Sequence, residues 1–73
     1  MTTYILTNHK GFWSLDRQRG DDVLHIAVNL SPTEAVDLAT KLAEEIRPSR
    51  ILRLAEKGEY ELLAKFEVID AHL

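Results

Sequence analysis

The sequence predicts a two-layer α+β domain with one helix packed on one face of a single antiparallel sheet, in the order β-β-β-α-β-β. Three observations carry this. One segment repeats its apolar residues at three- and four-residue steps, from Ala35 to Ile46, which is the helical period. The segments before it, and the one that closes the chain, alternate at period two, as half-buried strands do. The three glycines stand only between those segments, where turns belong. At 73 residues the chain makes one small domain, 1–73, because a chain of this size buries only about 60% of its unfolded surface.

The first strand is placed at 3–7, a short β-branched and aromatic run whose inward face the sequence leaves open. His9-Lys10-Gly11 supplies a turn. A second strand at 12–17 sets Trp13 and Leu15 inward, against Phe12, Ser14 and Asp16. Arg19-Gly20-Asp21-Asp22 turns the chain again. In the third strand, 22–30, Leu24, Ile26, Val28 and Leu30 share one face, with Val23, His25, Ala27 and Asn29 on the other. The helix, 32–46, is the clearest element. Ser31 offers its hydroxyl as N-cap, Pro32 suits the first helical position and Glu34 completes a capping box. Pro48 ends it, since proline disfavours helical geometry in the residue before it.

After Pro48 a hairpin is expected. Residues 50–56 pair with 59–69 around Glu56-Lys57-Gly58-Glu59, burying Leu52, Leu54, Leu62, Phe66 and Val68. The competing reading is a C-terminal helix through Leu62, Leu63, Phe66, Ile69 and Leu73, because short apolar runs are ambiguous by periodicity. Leu38, Leu42 and Ile46 are the helix's contribution to the expected core.

Composition narrows the function. An apolar fraction of 45% and a charged fraction of 29% describe an ordinary globule. With no cysteine, a disulfide scaffold, a thiol nucleophile and a zinc ribbon are excluded. No apolar run reaches the length of a membrane span, and MTTYILTN carries no basic leader, so a cytoplasmic protein is expected. The net charge of −3 disfavours broad phosphate binding.

Catalytic patterns are lacking. Ser14, Ser31 and Ser49 have no nucleophile-elbow context, and the glycines are too isolated to cradle a phosphate. His9, His25 and His72 lie far apart, and Asp70 with His72 is one pair short of a metal site. The expectation is a non-enzyme with no cofactor and no metal.

Binding surfaces are what remain. A single helix leaves one sheet face uncovered, and the expected register puts Phe12, His25, Ile51, Arg53, Leu63, Lys65 and Ile69 on it. That much apolar surface asks for a partner, with a homodimer through this face as the simplest answer. A second candidate is the acidic side of the helix, Glu34, Asp37, Glu44 and Glu45, which suits a basic patch on another protein. A third is the cationic stretch Arg47, Arg50, Arg53 and Lys57, an alternative nucleic-acid-binding patch interrupted by Glu56. The leading expectation is a small regulatory or inhibitory protein that occupies a partner protein's surface. Inhibitors carried by phages and mobile elements, anti-CRISPR proteins among them, offer an analogy of size and charge only. The sequence carries no family motif.

Overall fold

The computed structural model describes residues 1–69. Five strands and one helix follow the expected order: β1 (Thr2–His9), β2 (Phe12–Arg19), β3 (Asp22–Leu30), α1 (Pro32–Glu45), β4 (Ser49–Leu54) and β5 (Tyr60–Phe66). They form a two-layer α+β domain, with the helix on one face of a sheet ordered β3-β2-β1-β4-β5.

The first three strands make an antiparallel meander, as their turn signals dictate. Between β1 and β2, Lys10 and Gly11 both take positive φ, 53° and 92°, the geometry of a tight two-residue hairpin turn that matches strand twist. The Asn8 side-chain oxygen accepts from the Gly11 N–H at 2.9 Å and locks that turn.

The sheet is mixed rather than wholly antiparallel. β1 and β3 run the same way, and α1 carries the chain back across the sheet. β4 therefore starts at the same end as β1 and pairs with it in parallel, from Thr2 beside Ser49 to Thr7 beside Leu54. A helical crossover is what a parallel pair requires. The closing segment is a strand through Phe66, not a helix, and it pairs antiparallel with β4. Residues 70–73, which hold Asp70, His72 and the last turn of the competing helix, lie outside the described residues.

The capping box forms as the sequence signals. The Glu34 N–H donates to the Ser31 hydroxyl at 3.1 Å, and the Ser31 N–H donates to the Glu34 carboxylate at 3.2 Å. At the other end Ser49 is fully buried, and its hydroxyl donates to the Ala43 carbonyl at 2.7 Å. That bond joins the last helical turn to the first residue of β4 and satisfies a carbonyl the helix leaves unpaired.

The core differs from the expected one in a specific way. Its buried large residues are Tyr4 and Leu6 of β1, Leu15 of β2 and Ile51 of β4, lying under a helix stripe of Ala35, Ala39 and Ala43. Alanines every four residues let the helix lie close on the sheet, so the large groups come from the strands. Leu38 and Leu42 flank that stripe, half-buried, while Trp13, Ile26, Leu30 and Phe66 close the margins. Leu24, Val28, Ile46, Leu62 and Val68, expected inside, are exposed.

Candidate functional site

Strand register defines the uncovered face. Ser49, Ile51 and Arg53 pair with Thr2, Tyr4 and Leu6, the residues of β1 that face the helix. β4 thus turns Arg50, Leu52 and Leu54 to the open side, the reverse of the expected register. Two large leucines outweigh one isoleucine when counting apolar residues, but only three residues, 46–48, join α1 to β4. So short a link delivers Ser49 directly beneath the helix end, and its parity sets the strand. Ile51 is therefore core, 3% exposed, and not part of the binding face. Arg53 is likewise removed from that face: it lies on the helix side, ion-paired to Glu61.

The open face then reads as three rows across the strands. Leu62, Leu52, Ile5 and Asp16 stand side by side on β5, β4, β1 and β2, with His25 beyond them on β3. The row toward one end is Tyr60, Leu54, Thr7 and Ser14. The row toward the other is Lys65, Arg50, Thr3 and Gln18. The Arg50 Nε donates to the Thr3 hydroxyl at 3.1 Å, which fixes that guanidinium on this face. The His25 Nδ1 lies 2.7 Å from the Asp16 carboxylate, closing the far side of the middle row.

The result is an apolar patch on β5, β4 and β1, flanked at one corner by Arg50 and the Lys65–Glu67 ion pair and at the other by a His–Asp pair. Tyr60 and Leu62 are more than half exposed, and so is Phe12 at the β2 end.

Of the expected site residues, Phe12, His25 and Lys65 lie on this face. Leu63 is the extra residue of a bulge in β5, where the pairing with β4 shifts by one. Ile69 lies past the end of β5 and is 70% exposed. Sequence reasoning missed Ile5, Leu52, Leu54, Tyr60 and Leu62. The signal lay in Tyr4-Ile5-Leu6, which is apolar on both sides, so β1 supplies the core and the open face alike.

The other two candidate surfaces fare differently. On the acidic helix side, Asp37, Glu44 and Glu45 are solvent-exposed, while the Glu34 carboxylate is engaged in the cap. The four cations of the alternative nucleic-acid patch do not share a surface. Arg47 is held at the helix end, donating to the Glu44 and Glu67 carbonyls at 3.2 and 3.0 Å and lying 5.3 Å over the Phe66 ring. Arg53 faces the helix side, Arg50 the open side, and Lys57 sits in the β4–β5 turn. The alternation of a strand divides what the linear sequence clusters.

Among the described residues no three histidine, aspartate or glutamate side chains gather as a metal site, and no helix is long and apolar enough to cross a membrane. Ser31 and Ser49 are committed to helix ends, and the Ser14 hydroxyl lies 3.5 Å from the Thr7 carbonyl. No family model, curated protein or solved structure matches this chain.

Proposed function

We propose that this protein is a non-catalytic binding module whose uncovered sheet face covers a surface of another protein, in a regulatory or inhibitory role. The observation that carries the reading is the apolar row Leu62, Leu52 and Ile5, continuous across three strands and left without a second layer. Contiguous exposed apolar surface rimmed by polar groups is the usual mark of a protein–protein site. Arg50 at one corner favours a partner whose apolar ridge ends in a carboxylate, while Lys65 beside it is already paired with Glu67 at 3.2 Å. A nucleic-acid role draws less support, because the cations of 47–57 point to different sides of the sheet.

The test is affinity capture from source cells with nuclease present, using wild type beside a Leu52→Thr/Leu54→Thr double variant confirmed as folded by circular dichroism. A stoichiometric protein retained by the wild type and lost by the variant supports the reading. Equal capture by both chains, or material that disappears with nuclease, overturns it.

A further inference from the structure

Where β2 meets β3, the sheet is bent into a concavity. Residues 25–30 of β3 stand opposite residues 13–16 of β2, so β3 carries two extra residues and the pairing shifts on both sides of Leu15. Bulges of this kind bend a strand and re-aim its side chains, and they gather beside binding sites. Asn29 takes a left-handed φ of 58°, a conformation uncommon outside glycine. The bent stretch and β2 enclose about 430 Å³, with Phe12, Ser14, Asp16, His25, Val28 and Asn29 in the lining.

The chemistry of that lining has one sign. It holds a single carboxylate, Asp16, and no lysine or arginine. The Asp16 side chain is 24% exposed, and its one hydrogen-bond partner among the described residues is the His25 Nδ1, 2.7 Å from Oδ1. A neutral imidazole donating through Nδ1 orients the carboxylate and leaves its charge uncompensated. An ionised carboxylate accepts at about four positions, so Oδ2 remains available to a ligand. The Ser14 hydroxyl, two residues along the same strand face, points its proton at the Thr7 carbonyl 3.5 Å away and keeps lone pairs to accept with. Phe12 and Val28, farther from Asp16, are each more than half exposed. Phe12 and Asp16 are four residues apart on one strand face, a span of roughly 13 Å.

We propose that this concavity binds a guanidinium carried on an apolar stem, with the head at Asp16 and Ser14 and the stem along Val28 and Phe12. A guanidinium presents five N–H donors in a planar fork and no acceptor, which suits a carboxylate and a hydroxyl held side by side. An ammonium is a compact, strongly hydrated point charge and gains less from two separate acceptors. An anion is repelled by Asp16, and a neutral ligand leaves that charge unpaired. The cleft beside the β4–β5 turn has no such preference, because it sets Arg53 and Lys57 among Glu56 and Glu59. An arginine on a partner protein and free arginine present the same head. The inference goes beyond the docking reading, since a free ligand fills the concavity with the apolar row left empty.

The experiment titrates the isotope-labelled full chain with Nα-acetyl-arginine amide and follows its chemical shifts. The buffer is held at about pH 8, above the range in which free imidazole takes up a proton. Saturable shifts are expected at Ser14, Asp16, His25 and Asn29, with a Kd on the order of 1 mM, which is what a ligand of so few atoms reaches. Nα-acetyl-lysine amide should bind at least about threefold more weakly. Asp16→Asn should weaken the arginine amide about tenfold or more. Phe12→Ala, at an exposed ring whose loss spares the core, should weaken it about threefold. Free arginine binding about tenfold tighter than the amide assigns the site to a free ligand, and equal or weaker binding assigns it to a partner's side chain. No saturable shift up to about 20 mM, equal binding of the lysine amide, or undiminished binding in Asp16→Asn overturns the proposal. The Leu52→Thr/Leu54→Thr variant, which loses partner capture under the docking reading, retains this titration, so the two readings fail separately.

Discussion

Truncating Ile51 and Leu52 one at a time tests the register of β4 and, through it, the identity of the binding face. Ile51 is buried in the core cluster it shares with Ala35, Ala39 and Ala43, with Tyr4 beside it on β1, so Ile51→Ala removes buried methylene groups and leaves a cavity. Such a change costs about 2–5 kcal/mol, and Ile51→Val about 0.5–1.5. A 73-residue domain has roughly 4–11 kcal/mol in total, so Ile51→Ala brings it near the edge of folding. Leu52 is half-buried and open to solvent on its far side. Its truncation forfeits part of a transfer energy and makes no enclosed cavity, a cost of about 1 kcal/mol. Urea unfolding followed by far-ultraviolet circular dichroism gives both values, and thermal melts should show about 4–8 °C per kcal/mol for a domain this size. Each variant is measured at two protein concentrations, so that self-association does not mask the difference. If Leu52→Ala costs more than Ile51→Ala, the register described here is wrong, and the open face would carry Ile51 and Arg53 after all.

Two further substitutions probe the helix ends. Ser49→Ala leaves the buried Ala43 carbonyl without its donor and should cost about 1–3 kcal/mol in urea unfolding, whereas a surface serine would cost almost nothing. Ser31→Ala removes one half of the capping box and should cost about 1 kcal/mol, with Ser31→Asp restoring most of it.

The sequence by itself determined the order of the elements and placed most of their ends within about two residues, while leaving strand against helix open for the closing segment, because those signals are local. The Ser31-Pro32-Thr33-Glu34 cap, the spacing from Ala35 to Ile46, and glycines at positive φ between strands each specify backbone geometry within a few residues. Phe12, His25 and Lys65 were likewise placed on the open face by alternation within a single strand. What only the tertiary structure decided was which side of each later strand meets the helix. Period two is blind to that choice when both sides are apolar, as in Tyr4-Ile5-Leu6 and Ile51-Leu52. The short link from α1 to Ser49 and the parallel pairing of β4 with β1 made the choice, and the bulge at Leu63 changed it again within β5. A helix lined by Ala35, Ala39 and Ala43 sits too close to the sheet for large residues on its own inner face. The binding face is therefore a consequence of non-local packing, while the elements that build it are written locally.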